Sequence, residues 1–321
     1  MHRDDMETRI TLGVSACLLG ENVRYDGGCK LDPYLVHTLA RFARFVPLCP
    51  ETESGMGVPR EPVDLWAGGG GEVRAVGRES LADYSRSWRE WAKAKAGELE
   101  GEDLWGMILK SRSPSCGPQV EIREGCGQKR RTGMGFFAEE VARSLPLVVV
   151  ESEESLYDPG RRENFIVRLF AMRRLKKLVE GEKTRGRLVD FHTCEKLLLM
   201  AHSAEGYRSL GRTVARPTKE PLDRVYEAYR DGFIGALSHR STRAKNCNVL
   251  LHAAGYFKRN LDVIEKGELG EAIEGYRAGL LPLTVPMTLL NHWNRRWRHP
   301  WLGAQSYLNP HPLELRLKCL A

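Results

Sequence analysis

The sequence predicts an α/β protein in two parts: an N-terminal domain built on a parallel, Rossmann-like sheet, followed by an all-α C-terminal domain. Between residues 10 and 155, short apolar runs of strand length alternate with stretches of helical period, the pattern of a parallel sheet covered on both faces. Beyond the polar stretch ESEESLYDPGRRENF, with its Pro-Gly pair, long helical periods take over and no convincing strand follows. These observations place the domains at residues 1–155 and 156–321.

The elements follow in order. Residues 10–16 make a first strand that runs straight into Cys17. Residues 31–45 have apolar positions at helical spacing, with Asp32 placed to cap and Pro33 in the first turn. The run 45–48 is a second strand and ends at Cys49. A Gly/Pro-rich connector, ETESGMGVPREPVDLWAGGGG, leads to a helix over 80–99 with Leu81, Tyr84, Trp88, Trp91 and Ala94 at intervals along it. Residues 104–109 are a third strand, followed by the Ser/Pro/Gly loop that carries Cys116. A Gly-punctuated loop over 117–133, a helix over 135–144 and the strong strand 145–151 complete the domain. In the second half, 162–182 is amphipathic, with Phe165, Leu169, Met172 and Leu175 inward. Further helices fall near 187–204, 220–239, 242–259, 261–279 and 286–298.

Composition narrows the class. In 321 residues, 42% hydrophobic and 28% charged content is that of a globular protein and excludes a disordered one. The opening MHRDDMETRI lacks an apolar core, and no later run is apolar enough to span a bilayer, so a cytoplasmic protein without a membrane partner is expected. Eight cysteines spread thinly through such a chain favour reduced thiols. Cys194, Cys247 and Cys319 read as small buried hydrophobes, while Cys29 and Cys126 lie in Gly-rich loops.

Cys17, Cys49 and Cys116 differ from these because each follows a strand. In an open parallel sheet, ligands gather beyond the carboxyl ends of the strands, so the three thiols are expected to converge on one metal centre. Thiolates favour zinc or iron–sulfur clusters. A structural zinc wants four closed ligands, usually in close Cys pairs, and the chain has no CxxC. A 4Fe-4S cluster held by three cysteines leaves one iron open to a substrate atom. Spacing alone leaves the cluster, a mixed-ligand zinc site and plain core thiols all open. Glu51, two residues after Cys49, is placed to act as a base, or simply to cap a helix. Ser111, Ser113 and Ser115 could relay a proton, or only form turns beside Pro114.

The segments GVSACLLGENVRYDGG, VPLCPE and KSRSPSCG resemble the three signature segments of the thiouracil desulfidase family, over roughly residues 9–152. FHTCEKLLLMAHS, NVLLHAAGYFK, LPLTVPMTLLNHW and YLNPHPLEL resemble the helical domain commonly fused to it, an arrangement similar to the tRNA 4-thiouridine desulfidases. The resemblance implies a 4Fe-4S cluster bound by Cys17, Cys49 and Cys116, with the remaining iron binding the thiocarbonyl sulfur. It also implies Glu51 as the catalytic acid/base and Ser113 as a proton-transfer or substrate-positioning partner. The implied substrate is 4-thiouridine in tRNA and the product sulfide, with no net electron transfer and no obligate protein partner. Desulfidation of free thiouracil, or a non-catalytic RNA-binding protein with structural zinc, are the alternatives. Arg24, Tyr25, Asp26 and Gly27 either line the pocket or form a tight Asp-Gly turn.

Charge is distributed unevenly. Of 49 Lys and Arg and 42 Asp and Glu, 20 and 25 lie up to residue 155, net −5, leaving 29 and 17 beyond it, net +12. A basic half suits a polyanion. Arg208, Arg212 and Arg216 recur at four-residue intervals, as do His192 and Lys196, a run of cations of the kind a phosphate backbone requires. Seven of nine histidines follow residue 190, with no established metal spacing. Helix capping, core hydrogen bonds or RNA contact account for them better. Trp293, Trp297 and Trp301, interleaved with Arg295, Arg296 and Arg298, either stack on RNA or pack one helix face.

Overall fold

The computed structural model describes residues 10–68, 71–125, 129–215 and 220–312. Cys126, Arg216 and Cys319 lie outside them. The backbone divides into two compact units, the first reaching Met172 and the second beginning at Arg173.

In the first unit, β1 (Ile10–Ser15) lies between β2 (Ala43–Leu48) and β5 (Leu104–Leu109), and β8 (Val149–Ser152) flanks β5. Every pairing is parallel. β1 and β5 are buried along their whole length, which is why they read as unbroken apolar runs. β2 is the edge strand and accommodates Pro47 there. Because the strands are parallel, β1, β2 and β5 all finish on one rim. Gly106 in β5 has no room for a side chain: a Cβ would stand 2.5 Å from Leu169 Cδ2 and 2.7 Å from the Val149 carbonyl oxygen. That absence of a side chain lets α4 (Pro159–Glu180) lie close against the strand.

The Gly/Pro-rich connector, the residues just after it and the loop over 117–133 contain a second sheet that the sequence pattern did not reveal. β3 (Val63–Ala67) pairs antiparallel with β4 (Val73–Gly77) and parallel with β6 (Val120–Glu124), which pairs antiparallel with β7 (Lys129–Gly133). Only one face is buried. Val63, Leu65, Ala75, Val120 and Ile122 pack with Trp88 of α2 (Ser85–Glu100) and Phe136 of α3 (Phe136–Ser144). The continuous helix expected over 31–45 is instead a π-turn, Tyr34–Thr38, and a 3-10 turn, Leu39–Arg41, before β2 begins. Asp32 Oδ1 does accept from Leu35 N at 3.1 Å.

The second unit is helical throughout its described residues. From Arg173 the end of α4 leads to α5 (Arg185–Cys194), α6 (Lys196–His202), α7 (Ala204–Val214), α8 (Leu222–Ser238), α9 (Arg243–Gly255), α10 (Val263–Ala278), α11 (Thr284–Trp297) and the short α12 (Pro300–Gly303). The expected helix over 187–204 is split. Glu195, 1% exposed between α5 and α6, takes the guanidinium of Arg174 at 2.5 and 3.0 Å. Among the described residues no helix is long and apolar enough to cross a membrane.

Candidate active site

Three loops leave the common rim and each carries one of the predicted thiols. Cys17 sits in the 3-10 turn Ala16–Leu19 directly after β1. Its carbonyl accepts from Lys30 N at 2.8 Å, so the returning chain pins the turn. Cys49 follows β2 and caps α1 (Pro50–Glu53), its own N–H donating to Glu53 Oε1 at 2.8 Å. Cys116 follows β5 in a loop pressed against the start of α3. Gly135 N donates to Gly117 O and Phe137 N to Ser115 O, both at 2.8 Å.

Cys17, Cys49 and Cys116 line one cavity of about 190 Å³, together with Glu51 and Ser113. A water needs only roughly 10–15 Å³, so the space suits a much larger occupant. Cys17 and Cys116 are held protonated. Burial, then the neighbouring Cys116 and Cys49, push Cys17 up to about 12. Burial also pushes Cys116 up to about 11, against the hydrogen bonds of Ser113 and Ser15. Loading a metal group must therefore displace these protons. Cys17, Cys29, Cys49, Cys116, Cys194 and Cys247 are all free thiols. Cys247 is 1% exposed, a buried apolar side chain, and Cys194 is half-buried.

Among the described residues, no three His, Cys, Asp or Glu side chains are gathered to hold a single metal ion. Thiolates on one zinc lie roughly 4 Å apart, as Zn–S bonds of about 2.3 Å require. Three thiols lining one cavity are the donor type that a three-thiolate iron–sulfur cluster uses.

Glu51 is tightly oriented. Arg60 directs both Nε and Nη2 to its Oε2, each at 2.7 Å, and the two side chains are 7% and 14% exposed. Arg60 also donates to the carbonyls of Val23 at 2.8 Å and Gly57 at 3.1 Å. Ser115 Oγ donates to Glu51 Oε1 at 2.7 Å. Since that bond uses the Ser115 hydrogen, Ser113, 3.1 Å away, donates to Ser115 Oγ. Ser113 Oγ in turn accepts from Cys116 N at 3.4 Å. Ser113 thus reaches Glu51 through one intervening hydroxyl.

Behind the thiols, Ser15 Oγ accepts from Lys110 N at 2.9 Å and stands 3.4 Å from Cys116 Sγ. Glu153, 3% exposed, accepts from Lys110 Nζ and takes Ser111 N at 2.6 Å and Ser111 Oγ at 2.8 Å. Sequence reading missed Arg60, Lys110 and Glu153; it named Ser111, Ser113 and Ser115 together, and of these Ser115 is the one bonded to Glu51. One signal was present for Ser15, a polar residue closing an apolar strand. Of the Arg24–Gly27 stretch, Arg24 and Tyr25 line the cavity, whereas Asp26 and Gly27 make the turn, with Gly27 at φ +79°.

In the helical unit, His192 stacks on Tyr207 at 5.2 Å and its Nδ1 lies 3.1 Å from Tyr229 OH. Lys196 Nζ stands over the rings of Tyr207 at 5.8 Å and Trp301 at 5.3 Å. His202 is buried and bonds the His239 carbonyl at 2.8 Å, while His299 caps α12. Arg208 and Arg212 are exposed on α7. Trp293 is buried in the core, and Arg296 covers both it and the more exposed Trp297.

The 2-thiouracil desulfurase family matches residues 12–153, and the protein of unknown function family DUF1722 matches residues 196–312. Uncharacterized protein YbgA of Escherichia coli (strain K12) is 35% identical over 157 residues, 49% of this chain and 93% of that protein. Uncharacterized protein YbbK of Bacillus subtilis (strain 168) is 28% identical over 144 residues, 44% of this chain and 95% of that one. A solved structure, the 4Fe-4S-dependent thiouracil desulfidase TudS, is 28% identical and covers 46% of this chain and 94% of its own, with a TM-score of 0.38. The chain is thus related to YbgA and has two matched parts: residues 12–153 match the 2-thiouracil desulfurase family, and residues 196–312, within the helical half, match DUF1722.

Proposed function

We propose that the protein is a desulfidase of 4-thiouridine in tRNA. The C–S bond of the thiocarbonyl breaks, water supplies the oxygen of the product uridine, and sulfide leaves with no change in electron count. The observation that carries the reading is the single cavity shared by Cys17, Cys49, Cys116 and Glu51.

Cys17, Cys49 and Cys116 would hold a 4Fe-4S cluster, which supplies a Lewis-acidic sulfur acceptor through its one iron without a protein ligand. Glu51 is the base. Its Oε2 is held by the Arg60 guanidinium, through the Nε hydrogen bond and the Nη2 ion pair, and among the described residues its Oε1 accepts from Ser115 alone, so Oε1 has the lone pair that takes the proton of water. Ser113 and Ser115 keep that oxygen aimed and return the proton along their hydrogen-bonded hydroxyls. The narrow cavity admits a base only when it has been turned out of the RNA stack.

The basic half supports RNA as substrate. Its net charge is +12, and the exposed Arg208 and Arg212 of α7 make no ion pair among the described residues. Such a surface holds folded RNA by backbone and shape. Mass spectrometry of nucleosides from tRNA incubated with anaerobically purified protein tests the reading. Conversion of 4-thiouridine to uridine with release of sulfide is the expected result. Turnover of free thiouracil with tRNA untouched would reassign the substrate, and no turnover of either would overturn the proposal.

A further inference from the structure

The outer face of the mixed sheet carries a groove of about 550 Å³ that takes no part in the thiol site. Asp64 and Trp66 come to it from β3, Arg74 from β4, Arg78 from just beyond β4, and Arg123 from β6. Three guanidinium groups thus face one lining carboxylate. The Arg123 guanidinium carbon lies over the Trp66 ring, 5.4 Å from its centre, so the indole carries a cation at one face.

The carboxylates at the groove do not exhaust the donors. Asp64 takes Arg78 Nε and Nη2 at 3.0 and 2.8 Å and Arg123 Nη2 at 2.9 Å. Asp83 takes Arg74 Nε and Nη2 at 2.8 and 2.7 Å. A guanidinium has five N–H donors, and among the described residues these bonds leave Nη1 of both Arg74 and Arg78 for another acceptor. Arg74 and Asp83 are 54% and 37% exposed, and exposed ion pairs bind weakly, so an incoming phosphate competes for Arg74, while Arg78, held by the more buried Asp64, offers its Nη1. A π-surface beside fork-shaped donors suits a nucleotide: the base stacks and the phosphate is gripped.

The groove is also linked to the thiol cavity through the backbone. Tyr25, 43% exposed, lines that cavity. Arg60 N donates to the Tyr25 carbonyl at 2.8 Å, and Arg78 N donates to the Pro62 carbonyl at 3.0 Å. Arg60 and Pro62 are two residues apart, so one short stretch of chain is bonded to both sites. Arg78 is held above its ordinary value mainly by its hydrogen bond to Asp64 and by that carboxylate's charge, and Tyr25 adds to the effect.

We propose that the Trp66, Arg74, Arg78 and Arg123 groove is a nucleotide subsite that holds the phosphate and base next to the thiolated uridine while the thiolated base enters the thiol cavity. The inference rests on the polynucleotide reading above. A phosphate could also reach the groove from a thiolated mononucleotide's own 5′ group, and the choice of substrates separates the two sources.

Arg74→Gln/Arg123→Gln and the exposed single variant Arg74→Glu are compared with the native protein on 4-thiouracil, 4-thiouridine 5′-monophosphate and 4-thiouridine-bearing tRNA. The expected result is unchanged kcat/KM on the free base and a tenfold or greater fall on tRNA, carried by KM. The salt dependence of tRNA binding flattens by about 0.7–0.9 in log–log slope for each phosphate that the variant no longer neutralises. A parallel fall on the monophosphate identifies its own phosphate as the occupant; no fall there identifies the neighbouring nucleotide. Unchanged tRNA kinetics in both variants, with the native protein active on tRNA, would overturn the subsite alone. An equal fall on all three substrates would also overturn it, marking the arginines as supports of the sheet. A native protein that neither binds nor converts tRNA would remove the polynucleotide reading, and the subsite with it.

Discussion

Ser115 donates its hydroxyl hydrogen to Glu51 Oε1 across 2.7 Å, joining positions 64 residues apart. The proposed relay therefore reaches Glu51 through Ser115, with Ser113 one step behind it at 3.1 Å. Three variants should rank accordingly. Glu51→Gln removes the proposed base and should lower turnover roughly 10²–10⁴-fold, with the visible absorption of the anaerobically purified protein retained. A hydrogen bond to a charged group is worth about 1.5–3 kcal/mol, so Ser115→Ala should cost about ten- to a hundredfold in kcat. Ser113→Ala should cost less. A larger loss from Ser113→Ala than from Ser115→Ala would mean that Ser113 meets the substrate directly.

Arg60 gives three hydrogen bonds from a side chain only 7% exposed, one each to Glu51, Val23 O and Gly57 O, and its Nη2 adds an ion-pair contact with Glu51. Removing one member of a buried pair typically costs about 3–5 kcal/mol, because the remaining charge loses its partner. Arg60→Met should thus lower the thermal midpoint and activity together. Arg60→Lys retains the charge but not the planar fork, and should restore most of the midpoint while leaving kcat low. Recovery of kcat in Arg60→Lys would show that Glu51 needs only a nearby cation.

The parallel sheet was readable because its central strands are buried on both faces, which forces the unbroken apolar runs of β1 and β5. Strand ends then located the three thiols. The mixed sheet escaped because only one face is covered: Asp64, Arg74, Glu121 and Arg123 occupy its other side, and the runs read as polar loops punctuated by glycine. The helix expected over 31–45 failed for a different reason. Residues 43–45 are needed for pairing with β1, where Ile10 lies beside Ala43, so the edge strand claims the end of the helical pattern. Arg60 sits among prolines in VPREPV, and no local pattern reports its bond to a carboxylate nine residues away.

Gly135 has no space for a side chain. A Cβ there would stand 2.8 Å from the Pro114 carbonyl oxygen, 2.9 Å from Gly117 N and 3.0 Å from Cys116 N. These are backbone atoms of the loop that presents Cys116, so Gly135→Ala must push that loop away from α3. Forcing extra volume into a packed site costs about 1–3 kcal/mol, small enough for the fold to survive. The expected protein has native far-UV circular dichroism but reduced iron and acid-labile sulfide per chain after anaerobic reconstitution. Cys116→Ser provides the reference for complete loss of the third thiolate. Full iron content in Gly135→Ala would show that the loop can yield without moving its thiol.

Acid should act first on the turns around the mixed sheet. Glu61 accepts from Ser80 Oγ, Ser80 N at 3.0 Å, Glu79 N at 2.7 Å and Tyr84 OH at 3.1 Å, and its hydrogen bonds, that from the Ser80 side chain above all, hold it at about 2 against an ordinary 4.5. Asp83 is likewise held at about 2 against 3.8, first by Ser85 and then by Arg74. Both groups lie lower in the folded than in the unfolded chain, so the unfolded chain binds protons first as the pH drops. Their contribution is complete above about pH 4.5 and disappears as the pH falls towards 2. Glu61→Gln/Asp83→Asn should therefore unfold at lower urea than the native protein at pH 6, and the gap should close by pH 2. A gap of the same size at both pH values would show that shape, not charge, sets the role of these side chains.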